Sequence, residues 1–321
     1  MALAASALQV VTLGVSDLRE SLRLFHDLMG LQIDREAALP EELLRFWGVA
    51  AGVSARAVEL SCGGYPVGRL RLVAFDPPAR QRARDDHGPG CPDTPFDVGP
   101  KAIDFYVRPP ITDAVKDIEG AGYRFRSAPI RYEIGPYESE ELLFSGPDNT
   151  PILIMIGHRH PESSQRRLPP GVRYSEVPTV SIRCADIAAT RRFYGEALGL
   201  HCGTDAEVTD EFRDLACTLT GVPKGSRLHF LTYQKQGEPS GKTLLIHLFE
   251  RTGRRLTDRM RPGNLGVTLY TYEADDLVGL RARLMAAGGA IVAEPAHCAG
   301  RQRMLVKGPN EELFEFLEQA G

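Results

Sequence analysis

The chain has no long apolar run and no excess of charge of either sign. No apolar segment approaches the roughly 20 residues that a membrane-spanning helix needs, so the sequence predicts no membrane span. The N-terminal stretch MALAASALQVV has no basic region before its apolar part and leads into a strand pattern, which argues against a signal peptide. The net charge is -4 with lysine and arginine scattered, so nothing favours a nucleic-acid partner.

Paired cysteines are also missing, since no C-x-x-C motif occurs. This spacing favours reduced thiols in a cytoplasmic protein over a disulfide framework or a zinc site. The six dispersed cysteines are Cys62, Cys91, Cys184, Cys202, Cys217 and Cys298. A length of 321 residues is enough for about two domains, each with its own core.

An internal repeat is present in this sequence. The segment VVTLGVSDLRESLRLFHDLMGL near the start corresponds to TVSIRCADIAATRRFYGEALGL past the middle. Asp17 corresponds to Asp186 and Gly30 to Gly199 at the same spacing. The repeat predicts two domains, 1–157 and 176–321, joined by a polar, proline-containing linker at 158–175. His158 and His160 lie in this linker and are expected to be solvated.

Each half divides again into two similar units. In the first unit Asp17 is a candidate helix N-cap, apolar residues follow at helical spacing, and Gly30 ends the helix. Strand patterns surround this helix, and the pattern restarts at AIDFYV, with a helix expected at 112–121. The second half repeats this order with helices expected at 186–198 and 275–287. The sequence therefore predicts an α+β protein of four βαβββ modules, paired two by two within each half.

The motifs SDLRESLRLFHDLMGL and GPNEELFEFLE, set in four βαβββ modules, resemble the vicinal oxygen chelate superfamily. That superfamily includes glyoxalase I, bleomycin-resistance proteins, methylmalonyl-CoA epimerase and extradiol dioxygenases. The resemblance covers nearly the whole chain and implies two tandem domains, each with a cupped sheet around one small-molecule cavity and helices outside.

The resemblance also implies where a divalent ion would be held, namely at one position in the first and the last strand of each module. His, Gln and Glu are the ligands expected there. In the first half none of the four equivalent residues suits a cation, and in the second half only His247 and Glu315 do. We therefore expect no cofactor, with a weak, water-completed metal site at His247 and Glu315 as the alternative. The eight equivalent residues are Val10, Arg71, Ala102, Leu153, Thr179, His247, Gly266 and Glu315.

If His247 and Glu315 face each other in a dry cup, they form a possible acid–base pair for proton transfer near neutral pH. The alternative is that His247 is a hydrogen-bonded structural residue. Strand parity adds five candidate substrate-binding residues to the second cup: Thr179, Ser181, Arg183, Thr268 and Tyr270.

The first cup has three candidate ligand-binding residues of its own. Alternation along the strands places Arg71, Asp104 and Tyr106 on its inward face. Arg71 and Asp104 would form a structural salt bridge or anchor an anionic or hydroxylated ligand. The charged loop RQRARDDHGPG, residues 80–90, is either solvated or borders a cup mouth.

Three functions follow from the sequence, in order of preference. The first is a metal-independent enzyme, an isomerase, epimerase, lyase or cyclase, that transfers a proton on a small organic metabolite. The second is a bleomycin-resistance-like protein that sequesters a small molecule without catalysis, and the third is a metal-dependent enzyme with an incomplete site. The expected partner is a small molecule, and the expected assembly is a monomer with internal pseudo-twofold symmetry or a homodimer.

Overall fold

The computed structural model describes residues 5–87, 90–134, 137–160 and 163–319. Four modules of the predicted βαβββ type follow one another, and the α+β class is confirmed. No helix in these ranges is both long enough and apolar enough to cross a membrane.

The first module begins the chain. Its strands are β1 (Val10–Val15), β2 (Gln32–Ala38), β3 (Ser54–Ser61) and β4 (Arg69–Asp76). Helix α1 (Leu18–Leu22) continues into a π-helical segment (Arg23–Leu28), and α2 (Glu41–Phe46) lies between β2 and β3. Asp17 caps α1 as expected, because its carboxylate accepts from the backbone N–H groups of Arg19 and Glu20.

The second and third modules form the middle of the chain. The second contains β5 (Gly99–Tyr106), α3 (Ile111–Gly120), β6 (Ile130–Ile134), β7 (Tyr137–Ser145) and β8 (Pro151–Arg159). The third contains β9 (Thr179–Cys184), α4 (Ile187–Thr190) with its π-helical continuation (Arg191–Ala197), β10 (His201–Glu207), α5 (Asp210–Thr220), β11 (Leu228–Gln234) and β12 (Lys242–Leu248). Two short 3-10 turns lie at Pro147–Asn149 and Ser164–Arg167.

The fourth module ends the fold. It contains β13 (Gly266–Ala274), α6 (Leu277–Ala286), β14 (Ala290–Cys298), β15 (Arg301–Lys307) and β16 (Leu313–Glu318). The helices expected at 112–121, 186–198 and 275–287 are thus present, to within a residue or two at each end.

The modules pair differently from the sequence expectation. One eight-stranded sheet has the order β10-β11-β12-β9-β5-β8-β7-β6, and the other has the order β14-β15-β16-β13-β1-β4-β3-β2. The second module therefore shares a sheet with the third, and the first with the fourth. The expectation that each half of the chain closes its own cup is wrong. We call the two concave surfaces the inner cup (modules two and three) and the outer cup (modules one and four).

The two sheets meet at their central strands through one apolar core. Residues of both sheets belong to it, for example Val11 of β1 and Ile103 of β5. The ring of Phe25, on the π-helical segment after α1, lies 6.1 Å from the ring of Phe105 on β5. Strand β1 is buried along its whole length, which explains why its sequence, VVTLGV, has no polar alternation. Gly14 of β1 allows close approach of the chain, because a Cβ there would lie 1.8 Å from the backbone oxygen of Asn264.

Candidate active site

The inner cup encloses a cavity of about 130 Å³. Much of its wall is apolar, and part of that wall is formed by Leu143, Leu153, Met155, Phe230, Leu244 and Ile246. Polar side chains lie among these residues on several strands. They include Lys101, Asp104, Tyr106, Tyr132, Glu141 and Lys242. A largely apolar cavity with a few convergent polar groups is typical of a small-molecule site.

Two buried carboxyl groups face this cavity. Asp104 on β5 accepts a hydrogen bond from the Ser181 hydroxyl at 3.4 Å, and Glu141 comes from β7 two strands away. Burial raises the pKa of Glu141 to about 7, although hydrogen bonds from Tyr132 and Ser139 favour its charged form. Burial and the nearby charge of Glu141 raise the pKa of Asp104 well above its usual range. Burial thus favours the protonated form of Asp104, while Glu141, with a pKa of about 7, is present in both forms near neutral pH.

Two tyrosine hydroxyls stand beside these carboxyl groups. Tyr132 hydrogen bonds Glu141, and burial together with the charge of Glu141 raises the pKa of Tyr132 well above its usual range. The Tyr106 hydroxyl lies 3.1 Å from Nε2 of His160. Burial likewise raises the pKa of Tyr106, so both phenols remain protonated.

His160 contradicts one expectation from the sequence. We expected it to be solvated in the linker, but it lines the cavity and packs against Tyr106 and Tyr137, with ring centroids at 5.6 and 4.6 Å. The expectation was wrong because β8 extends to Arg159 and carries the following residue to the cavity wall.

Lys101 reaches the same cavity because β5 is irregular at this point. The pairing of β5 with β9 shifts register between Pro100 and Ala102, and such a bulge lets two successive residues line one surface. The Lys101 ammonium donates to the backbone oxygen of Thr220 at 2.9 Å and lies 3.5 Å from Asp86. Burial lowers the pKa of Lys101 to about 7, because the attraction of Asp86 only partly offsets it.

Four of the residues proposed from the sequence come together in the inner cup. Asp104 and Tyr106, assigned to the first cup, and Thr179 and Ser181, assigned to the second, line one cavity. Strand alternation placed each of the four on the concave face correctly. The error was to separate them, because β5 and β9 are neighbours in one sheet.

The expected acid–base pair of His247 and Glu315 is not formed. His247 lies on β12 of one sheet and Glu315 on β16 of the other. The cavity is lined from β12 by Lys242, Leu244 and Ile246, and neighbouring strand residues point to opposite faces, so His247 points away from the cavity. There it packs against Phe249 at a ring distance of 5.2 Å, and burial lowers its pKa.

Glu315 instead lies in the outer cup, where side chains fill the space around it. Its carboxylate accepts from Trp47 Nε1 at 2.9 Å, from Arg303 at 2.7 Å and from the Thr271 hydroxyl at 3.0 Å. Arg71 lies 3.9 Å away, and its Nε donates to Glu59 at 2.9 Å. Arg71 therefore forms no pair with Asp104, which lies in the other cup, and both alternatives for that pair are wrong.

Three further residues differ from their expected place. Thr268 and Tyr270 lie on β13 of the outer sheet, so they cannot line a cup with His247. Tyr270 belongs to the core between the sheets. Arg183 does lie at the inner sheet, where it is buried and its Nε donates to the backbone oxygen of Pro95 at 3.0 Å.

The side chains at the positions where the resemblance implies metal ligands do not suit a divalent ion in either cup. The inner cup has Ala102, Leu153 and Thr179 at these positions, together with His247, which points away from the cavity. Of the four equivalent positions in the outer cup, only Glu315 is a carboxylate, and its oxygens bond Trp47, Arg303 and Thr271. Within the described residues, no three His, Cys, Asp or Glu side chains come together in a way that suits a metal ion.

Sequence reasoning missed several residues of the site, among them Lys101 and Glu141. The signal for Glu141 was present, since alternation along SEELLF places it on one face with Ser139 and Leu143, which also line the cavity. No comparable signal marked Lys101, because strict alternation along β5 selects Ala102, Asp104 and Tyr106.

This chain is similar to a known protein family in sequence and to solved structures in fold. Residues 176–316 match the model of the Glyoxalase/Bleomycin resistance protein/Dioxygenase superfamily. No curated protein matches the chain in sequence.

Solved structures match over nearly the whole length. Glyoxalase I from Zea mays is similar with a TM-score of 0.63 and 12% identity, over 97% of this chain and 92% of that chain. A putative dioxygenase from Bacillus subtilis subsp. subtilis str. 168 is similar with a TM-score of 0.65 and 13% identity, over 100% of this chain and 87% of that chain. At such identities the likeness shows the fold alone. The resemblance to the vicinal oxygen chelate superfamily is thus confirmed: residues 176–316 match its family model, and the full chain has the fold of its glyoxalase I and dioxygenase-like structures.

Proposed function

We propose that this protein is an enzyme that moves a proton on a small organic carbonyl compound bound in the inner cup, without a metal ion. The observation that carries this proposal is the pair of buried carboxyl groups on one cavity wall, Asp104 and Glu141, whose pKa values are both raised by burial.

The two carboxyl groups divide the reaction between them. Glu141, with a pKa of about 7, takes the proton from the carbon beside the carbonyl. The electron pair of that C–H bond moves towards the carbonyl oxygen, and protonated Asp104 donates a hydrogen bond to the developing oxyanion. Return of the proton to the same or a neighbouring carbon completes an isomerase or epimerase reaction. Loss of a leaving group from the adjacent carbon completes a lyase reaction.

The experiment follows deuterium uptake from D2O into a panel of small carbonyl compounds by NMR. We expect at least one compound to exchange, and Glu141→Gln to slow the exchange by about 100-fold or more, since a positioned base contributes that much. Asp104→Asn should also slow the exchange, because it removes the carboxylic acid. The matched control is Glu140→Gln, the next residue on β7, whose carboxylate bonds His158 at 3.0 Å on the other face.

A binding protein without catalysis is the second candidate, and the large apolar part of the cavity wall favours it. The same experiment separates the two. A compound that binds the unaltered protein with no exchange above the rate in solvent contradicts the enzyme and supports sequestration.

The proposed setting is a monomer in the cytoplasm. Both cups are assembled from modules of one chain, so a small-molecule site forms without a second copy. All six cysteines are free thiols, which suits a reducing compartment.

A further inference from the structure

Three basic side chains contact the carboxylate of Asp86 beside the inner cup, and a fourth, Arg183, lies near enough for the charges of Arg84 and Asp86 to act on its pKa. We name these four side chains the cationic cluster: Arg84, Lys101, Arg126 and Arg183, all buried or largely buried. Asp86 lies 3.1 Å from Arg84, 3.5 Å from Lys101 and 3.8 Å from Arg126. Burial would raise the pKa of Asp86, but Lys101, Arg84 and Arg126 outweigh it and hold that pKa below its usual range.

The arginines of the cluster differ in how many of their guanidinium nitrogens have a hydrogen-bond acceptor. Arg84 donates to the backbone oxygens of Asp97, Gly99 and Pro100, and so fastens the loop before β5. Arg183 makes only its Nε bond to Pro95, and both terminal nitrogens of its guanidinium are buried with no acceptor among the described residues. Nε of Arg126 has no hydrogen-bond partner in the same part of the chain.

Buried cationic nitrogens without acceptors are costly, and one carboxylate does not neutralise four basic groups. A bound anion would both accept hydrogen bonds from these nitrogens and compensate the excess positive charge. Lys101 connects the cluster to the cavity, because its side chain lines the cavity while its ammonium contacts Asp86. Thr220, whose backbone oxygen accepts from Lys101, lines the cavity as well.

We propose that the cationic cluster binds an oxyanion group of the ligand, a carboxylate or a phosphate, and that the inner cup therefore selects anionic small molecules. This inference rests on the proposed function only in taking the inner cup as the ligand site. Asp104 follows Lys101 by three residues on β5, a distance of about 10 Å along the strand. An anion held at Lys101 thus leaves the body of a small compound beside the two carboxyl groups.

The test is a calorimetric titration of the full-length protein at pH 6.5 and constant ionic strength, with inorganic phosphate in one arm and acetate in the other. Saturable binding of phosphate alone identifies a phosphate-bearing ligand, and binding of acetate alone identifies a carboxylate-bearing one. Binding of both supports the shared oxyanion site.

Two variants with opposite expected effects assign the binding to the cluster. Lys101→Met removes a buried charge whose desolvation is unfavourable and keeps the side-chain volume, so the variant should fold. It should lower the affinity for the anion by about tenfold or more. Asp86→Asn removes the internal competitor of the anion and should strengthen binding. The control Arg227→Gln changes an exposed arginine paired with Glu207 and should leave the affinity unchanged.

The proposal is overturned if neither phosphate nor acetate binds saturably to the unaltered protein. It is equally overturned if both Lys101→Met and Asp86→Asn bind with unchanged affinity. None of these titrations requires turnover, so their failure leaves the deuterium-exchange result at Glu141 standing, and failure of that exchange leaves these titrations standing.

Discussion

Asp104 and Glu141 line one cavity from strands β5 and β7, and the charge of Glu141 is one cause, after burial, of the raised pKa of Asp104. A charge on Glu141 therefore disfavours ionisation of Asp104, as expected for two neighbouring carboxyl groups. The strand β8 lies between the two in the sheet, so their separation is fixed by backbone pairing on both sides.

The raised pKa of Glu141 predicts a pH-dependent effect of Glu141→Gln on stability. Between pH 4.5, its unfolded value, and about 7, the folded protein holds a proton that the unfolded chain has lost, so ionisation of Glu141 costs stability as the pH rises. We therefore expect the melting temperature of Glu141→Gln, relative to the unaltered protein, to rise by a few degrees from pH 5 to pH 8.

Differential scanning calorimetry across this pH range measures the effect. The control Glu41→Gln changes an exposed carboxylate that pairs with Arg45, and its difference from the unaltered protein should stay constant. A constant difference for Glu141→Gln as well would contradict the protonation state assigned to Glu141.

Activity is expected to survive removal of divalent ions. At the positions where the resemblance implies metal ligands, the inner cup has Ala102, Leu153, Thr179 and an outward-pointing His247, so these positions supply the cavity with no ligand beyond a hydroxyl. Deuterium exchange should therefore be unchanged after dialysis against a chelator. Loss of exchange, restored by one added metal, would contradict the metal-independent mechanism.

Glu315 is predicted to be a structural residue. Replacing it by glutamine leaves Arg303 without its buried counter-charge and disturbs the bond to Trp47, which should lower the free energy of unfolding by about 3–5 kcal/mol. Urea unfolding followed by the fluorescence of Trp47, the one tryptophan of the chain, measures this loss directly.

Two controls accompany Glu315→Gln. Glu294 lies on β14 of the same sheet as Glu315 and forms an exposed ion pair with Arg281 of α6. Glu294→Gln removes this pair and should change the free energy of unfolding little. His247→Ala should leave ligand binding in the inner cup unchanged, because His247 points to the opposite face. A drop in inner-cup affinity in His247→Ala would contradict this placement.

The module pairing predicts that neither half of the chain folds alone. Residues 1–157 contain one half of each sheet, and in isolation β1 and β5 expose unpaired edges. We expect this fragment to aggregate or self-associate when expressed alone, and to give a soluble one-to-one complex when co-expressed with residues 176–321. Size-exclusion chromatography with near-UV circular dichroism distinguishes these outcomes, and a folded monomer of either half would contradict the prediction.

The local part of the fold was predictable from the sequence because its signals are local. Asp17, the apolar stripe that follows it and Gly30 define a helix whatever the rest of the chain does, and the repeat defines the module. Alternation also placed Asp104, Tyr106, Thr179 and Ser181 correctly, since the side-chain period of a strand is two.

The partner of each module was not predictable, because pairing across the sheet involves residues far apart in sequence. β1 pairs with β13 and not with β5, and no feature of β1 alone distinguishes these partners. Lys101 depends on a bulge, and His247 depends on which face of β12 meets the cavity. The prediction that His247 and Glu315 form a pair was wrong for the same reason. Each residue was assigned from the pattern of its own strand, which does not reveal which strands are neighbours.

Modules two and three, which share one sheet, lie in the sequence between modules one and four, which share the other. This arrangement sets the order in which the two sheets can form during translation. All strands of the inner sheet lie between Gly99 and Leu248, so the sheet that forms the cavity can assemble while the fourth module is still being made. β1 to β4, which precede the inner sheet in the chain, complete their sheet only when β13 to β16 are available. The nascent chain can therefore build the cavity of the inner cup before the outer sheet, with the buried Glu315, is complete.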